Sequence, residues 1–196
     1  MIRLDITDFE KVASGLGATA DQMPFLLSVA LNRAAVKTRE YLVGQTWPSS
    51  VTVRNPSFIK RALRIDFSKK HDLVVEIYDD LDRAHLKKHA EGGIKTPKNR
   101  NLAVPNQANV KLGSHGVPKG KRPRSLPKNT TFVQNNRIYT TVGKGKNRRL
   151  KLMYYLKPRV NIPKDVPFYD DFQKQMILNM FDQLPAAVVK AMSTRK

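Results

Sequence analysis

No cysteine occurs among the 196 residues. That excludes disulfides and thiolate metal sites, and nothing points to an oxidising compartment. Long apolar runs are missing too: none approaches the roughly 18 consecutive apolar residues of a membrane span, and Met1 to Glu10 lacks the apolar core of a signal peptide. A soluble protein working in a cytoplasm is the expectation. Aromatic residues make up only 8% of the chain. The most informative scarcity is of acids. Between Arg83 and Arg159 there are twenty Lys and Arg of the total 36 but one carboxylate, Glu91, a net charge of +19. Residues 1–82 carry eleven bases and eleven acids, and residues 160–196 five and four. Nearly all of the +20 is therefore internal. Such a field draws polyanions or acidic protein surfaces, with affinities and rates that fall with salt.

An apolar fraction of 40% supports a folded core, and the length suits one domain carrying a long excursion. Ile2, Leu4 and Ile6 alternate with Arg3, Asp5 and Thr7, so residues 1–18 contain a candidate extended arm. After the break at Ser14 to Gly17, Thr19 or Asp21 can cap a helix whose first turn tolerates Pro24. That helix is predicted to run to about Val43, burying Leu27, Leu31, Ala34, Ala35, Thr38 and Leu42 on a stripe narrow enough in its middle for close packing. Trp47 and Pro48 are expected to end it, with a strand beginning at Val51 to Val53. Asn55 followed by Pro56 starts a short second helix bearing Phe58, Ile59, Ala62 and Leu63. Arg64–Ser68 and Leu73–Tyr78 are predicted as an antiparallel hairpin turning at Lys69 to Asp72.

Leu81 to Ala90 can form a turn or two of helix. Residues 92–130, rich in Pro, Gly, Asn and Lys and without a period of 2 or 3.6, are expected to be one extended basic loop that orders only against something else. Three further strands are predicted at Thr131–Gln134, Ile138–Val142 and Leu150–Leu156. In the last, Leu150, Leu152, Tyr154 and Leu156 face the core, opposite Lys151, Met153 and Tyr155. The economical arrangement is a meander that pairs with the earlier hairpin. A terminal helix from about Tyr169 carries Phe172, Met176, Ile177, Met180 and Leu184, and Pro185 is expected to kink or restart it. The fold class is α+β: a long N-terminal and a C-terminal helix packed on a mostly antiparallel sheet.

Chemistry is thin. His85 and His89 are four apart, as two ligands on one helical face would be, but Lys87 and Lys88 lie between them and oppose a cation. Asp79, Asp80 and Asp82 can be drawn as a nuclease magnesium site, yet carboxylates at a strand end more often cap a helix. Gly143-Lys144-Gly145-Lys146 lacks the GxxxxGK[ST] pattern and falls in a hairpin turn. No catalytic residue, metal site or cofactor is expected. Two basic clusters remain: Lys119, Lys121, Arg122 and Arg124, then Lys144, Lys146, Arg148 and Arg149. With so few aromatics to stack bases, the expected contact is with phosphates or carboxylates. A merely solvated face is the plain alternative, but neutral flanks show that the charge is not spread as ordinary solubilising decoration.

The segments ALNRAAVKTREYL, VRNPSFIKRALRIDF followed by DLVVEIYDD, and VNIPKDVPFYDDFQKQM, in that order, resemble bacteriophage minor tail proteins of the Z type and the wider group of tail-completion and neck proteins. The resemblance covers about residues 26–80 and 150–184. Asn32, Arg33 and Ala34 match the helix pattern, and Pro163 to Phe168 match the extended segment before the last helix. Gly92–Asn129 has no counterpart in that pattern. What the resemblance implies is a non-enzymatic virion component, assembled in the host cytoplasm as an oligomeric ring where tail joins head. Its partners would be other neck, tail and portal-side proteins, with packaged double-stranded DNA as a candidate contact and no membrane. Lys87, Lys88, Lys95, Lys98 and Arg100 are then candidate subunit-interface residues. The competing expectation is a soluble, non-sequence-specific nucleic-acid-binding protein encoded by a phage or prophage, followed by a nuclease dependent on Asp79 or Asp80.

Overall fold

The structure is a computed structural model that describes residues 7–82, 84–98 and 100–194. In chain order the elements are α1 (Thr7–Gly15), α2 (Met23–Tyr41), α3 (Trp47–Ser50), α4 (Pro56–Ala62), β1 (Leu63–Asp66), β2 (Glu76–Asp79), α5 (Leu86–Glu91), β3 (Gly93–Lys95), β4 (Leu102–Pro105), β5 (Thr131–Gln134), β6 (Arg137–Val142), β7 (Arg149–Lys157), β8 (Val160–Ile162) and α6 (Phe168–Ser193). Every strand pairing is antiparallel, and the class is α+β. Among the described residues no helix is long and apolar enough to cross a membrane. The chain divides into two compact units: Met1–Ala90 with Lys164–Lys196, and Glu91–Pro163.

The first unit is organised by α2 and α6. All six residues of the expected α2 stripe are buried. The small middle of that stripe admits α6 through Met176, Met180, Leu184, Ala187 and Ala191, each with no exposed surface. The helices run antiparallel. Thr46 donates to Asp171 at 2.5 Å, Asn179 to Thr38 at 3.0 Å, and Lys37 meets Asp182 at 2.6 Å. Pro185 does not restart the helix: α6 continues through it to Ser193. Its apolar stripe resumes on the same face at Ala187 and Val188. Pro185 itself is exposed, on the side where the carbonyl left unpaired by its missing N–H can meet water.

Three further expectations change in this unit. Thr7–Gly15, inside the span read as a candidate arm, is a helix whose Phe9 and Ala13 are buried, with Phe9 4.7 Å from Phe181; the alternation at Ile2, Leu4 and Ile6 lies outside the described residues. Trp47 and Pro48 do not stop the helix. A π-helical turn at Leu42–Thr46, in which the Trp47 N–H reaches the Leu42 carbonyl, carries it past Pro48 into α3. No strand forms at Val51 to Val53. α4 starts as expected, with Asn55 accepting from the Ser57 N–H at 3.1 Å.

The predicted hairpin forms as β1 and β2, but the connecting loop is tied to α2 rather than left free. Asn32 accepts from the Ser68 N–H at 2.8 Å and donates to its carbonyl at 3.0 Å, while Ser28 donates to the same carbonyl at 3.1 Å. The Asn32 amide thus completes both backbone groups of a residue that is only 5% exposed, as a neighbouring strand would.

The second unit has its own core of Val110, Leu126, Ile138, Met153 and Tyr154. Its main sheet has the order β4-β7-β6-β5, and β3 pairs separately with β8. The expected meander is present, but β4 completes it; β1 and β2 form a sheet of their own. Asn135 and Asn136, at φ of 49° and 55°, make the two-residue turn between β5 and β6, since Asn tolerates the left-handed region that this hairpin requires. Residues 92–130 are not one loop. They supply β3 and β4, and Val110 and Leu126 enter the core.

Candidate polyanion interface

The β7 strand holds this unit together and departs from simple alternation. The register slips at Ile138/Tyr139, so Met153 is an extra residue opposite β6. A bulge places two consecutive side chains on one side, and Met153 and Tyr154 are both buried. Leu150 and Leu152 therefore fall on the face opposite Tyr154 and Leu156, and Leu150 is 61% exposed. The expected single aliphatic face is thus broken in two. Asn106 N–H bonds the Met153 carbonyl at 2.9 Å and the Asn109 amide bonds the Leu152 carbonyl at 3.0 Å, which is how the polar PNQANV segment becomes ordered.

The first basic cluster is fixed by its backbone and displays its side chains. Lys119 and Lys121 lie in one 3-10 turn and Arg124 in a second, Pro123–Ser125. Lys121 N–H bonds Pro118 O at 2.9 Å, Ser125 N–H bonds Arg122 O at 2.9 Å, and the Tyr154 hydroxyl donates to the Lys121 carbonyl. Burial raises the Tyr154 phenol above its ordinary pKa. Leu126 then plugs into the core. Lys119, Lys121, Arg122 and Arg124 are all exposed.

The second cluster occupies the β6–β7 turn. Gly143 there adopts φ +90°, and a Cβ would sit 2.3 Å from the Asn147 carbonyl oxygen; only glycine fits such a turn. Lys144, Lys146, Arg148 and Arg149 are exposed. The two clusters are attached at opposite ends of β6: Tyr154 pairs with Ile138 and the turn follows Val142. Four residues of strand, about 13 Å, separate those attachment points. Among the described residues, none of these eight bases takes part in an ion pair.

Across the unit there are seventeen Lys and Arg and one acid, Glu91, for a net +16; the other unit has 19 bases and 15 acids, for +4. Every base of the second unit except Lys95 is exposed. The five candidate interface residues are carried by three parts of the chain. Lys87 and Lys88 are on α5, Lys95 is on β3, and Lys98 and Arg100 lie in the β3–β4 connection.

The other polar groups have structural duties. Asp79 accepts from the N–H groups of Ala84 and Leu86 at 3.0 and 3.3 Å, capping α5. Asp80 lies 4.0 Å from Arg64, and Asp82 pairs with His85 at 3.0 Å. His85, at φ 51°, precedes α5, while His89 lies within it and bonds Asp165 at 2.8 Å. The two imidazoles thus serve separate partners. Among the described residues no group of three or more His, Asp or Glu is placed to hold a metal ion. A concavity of about 440 Å³ on the helical unit is lined by Glu10, Ser14, Ala20, Met23, Pro24, Leu27 and Leu73, and includes none of the candidate bases.

One grouping escaped the sequence reading. Phe132 and Tyr139 face each other across the Asn135-Asn136 hairpin, and Tyr155 of β7 joins them on the same sheet face, with Arg137 among them. A hydrogen bond with Tyr139 raises the Arg137 guanidinium further above its ordinary pKa. Tyr155 joins the other two rings only through the bulged register of β6 and β7, which no local spacing shows. Comparison with family models, curated proteins and solved structures finds no match to this chain.

Proposed function

We propose that the chain is a non-enzymatic structural component of a tailed bacteriophage particle, a tail-completion or neck protein that joins tail to head as an oligomeric ring. Its basic unit faces packaged double-stranded DNA or acidic surfaces of portal-side neighbours. The observation that carries the contact is the +16 unit in which the eight bases of the two clusters stand exposed and, among the described residues, take part in no ion pair. Exposed bases held on a pinned backbone lose little order on meeting phosphates, and each neutralised phosphate releases counterions. The resemblance of the three helix and strand segments supports the particle role.

Two measurements test this. Quantitative mass spectrometry of density-purified particles should find the protein at a fixed ratio to the portal. Combined Lys121→Glu, Arg122→Glu and Arg124→Glu reversal should impair head-tail joining while the isolated protein keeps its circular dichroism spectrum. An unaltered yield of infectious particles would sink the proposal. Absence from particles, with steeply salt-dependent DNA binding by the free protein, would favour a soluble nucleic-acid-binding protein instead; the self-contained core of the basic unit suits that role, since it presents its charge without needing a neighbour.

A further inference from the structure

The sheet β4-β7-β6-β5 uses one face for its core, that of Ile138 and Tyr154. On the opposite face, register places Phe132 beside Tyr139 and Arg137 beside Tyr155. The first two rings stack, with centroids 5.7 Å apart and planes 23° from parallel. The Arg137 guanidinium lies 5.8 Å from the centre of the Tyr155 ring. Phe132, on the edge strand, is 39% exposed, Tyr139 and Tyr155 are half-buried, and Arg137 is exposed. Lys157, two residues beyond Tyr155 on the same face, is exposed as well.

Aromatic rings on an open sheet face are ordinarily covered by apolar side chains. Here register seats Leu152 beside Tyr139 and Val104 beside Tyr155 within the sheet, while Arg137 and Lys157 border the rings, in a unit with one carboxylate. The charge selects a phosphate polymer, and the rings select something flat and apolar attached to it. A duplex keeps its base faces stacked inside and offers only edges in its grooves. A single strand presents both phosphates and free base faces, and base–aromatic stacking tolerates any sequence. We propose that this face is a stacking platform for unpaired nucleobases, binding single-stranded nucleic acid through Phe132, Tyr139 and Tyr155 with Arg137 and Lys157 on the flanking phosphates. This goes beyond the particle role and does not rest on it.

The test is fluorescence anisotropy on the full chain at fixed salt, with three labelled probes of about 12 nucleotides, within the usual site size. They are oligothymidylate, an abasic strand with the same phosphates, and a duplex. Oligothymidylate should bind more tightly than the abasic strand by at least about 5- to 150-fold, the range for a single stacked base. Phe132→Leu and Tyr155→Leu, which keep apolar bulk, should each remove much of that advantage and leave abasic and duplex affinities unchanged. Oligouridylate in parallel identifies RNA or DNA as the better source of bases; a preference for either over the abasic strand supports the platform. Equal affinity of the parent protein for the abasic strand and for both oligothymidylate and oligouridylate would overturn the proposal whatever the variants do. So would variants that weaken all probes equally. Neither outcome touches the phosphate contacts assigned to the two basic clusters, which the duplex probe reads separately.

Discussion

Replacing Asn32 by alanine tests how a loop is held to a helix without a strand between them. The substitution removes the Ser68 N–H's acceptor at 2.8 Å and one of two donors to the Ser68 carbonyl, the other being Ser28 at 3.1 Å. Ser68 is 5% exposed, so its N–H is stranded away from water, at a cost of about 1–3 kcal/mol. The carbonyl keeps Ser28 and loses only a net bond, about 1 kcal/mol. Together the loss should be about 2–4 kcal/mol. Asn32→Asp should be no better: it keeps the acceptor but sets a carboxylate against the carbonyl. Ser28→Ala alone should lose about 1 kcal/mol. The double variant should exceed the sum of the singles, because the carbonyl then has neither donor. Trp47 is the only tryptophan and lies in the same unit, so its emission during urea unfolding reports the relevant transition. A value for Asn32→Ala within about 0.5 kcal/mol of the parent, the scatter of ordinary surface changes, would mean that water reaches Ser68. The Asn32 bridge would then carry no stability.

Two further expectations use titration. Tyr154→Phe removes the donor to the Lys121 carbonyl, so trypsin should cut after Lys119 and Lys121 faster than in the parent; an unchanged cutting rate would show that the loop is held by other means. Because burial raises the Tyr154 pKa above 10.0, its contribution is complete below about pH 10 and is lost as pH rises through the raised value. The parent's alkaline unfolding limb should therefore flatten in the variant. At the acid end, Lys37 and then Gln183 hold Asp182 below its ordinary 3.8. That pair's contribution is present above the ordinary value and is lost as pH falls through the depressed one. Asp182→Asn should remove that part of the acid slope in a denaturation series, and an identical slope would show the exposed pair to be idle.

The parts of the fold legible in the sequence were those with local causes. The α2 stripe, the Asn55-Pro56 start, the β1–β2 hairpin and the meander around Asn135-Asn136 each follow from spacing or turn chemistry within a few residues. What could not be read was set by distant partners. β3 and β4 have weak periodicity and exist because β8 and β7 offer them hydrogen bonds. The bulge at Met153 inverted the faces of Leu150 and Leu152, since a slip of one residue moves a side chain to the other side. The candidate bases were legible as charge. The aromatic face was not, because Tyr155 reaches the Phe132–Tyr139 pair only through the bulged register of β7.

The chain leaves the helical unit after Ala90 and comes back at Lys164, with both passages side by side: Gly93–Lys95 pairs with Val160–Ile162, and Asp165 N–H bonds the His89 carbonyl at 3.1 Å. Paired strands stand about 5 Å apart, a gap that a two-residue turn can bridge. The basic unit is thus a cassette. The 90 residues before it and the 33 after it could be spliced through such a turn, and a different module could be grafted on the same stem. Removing the polyanion-seeking cassette in this way would take away sixteen of the twenty net charges and none of the residues of the α2–α6 core.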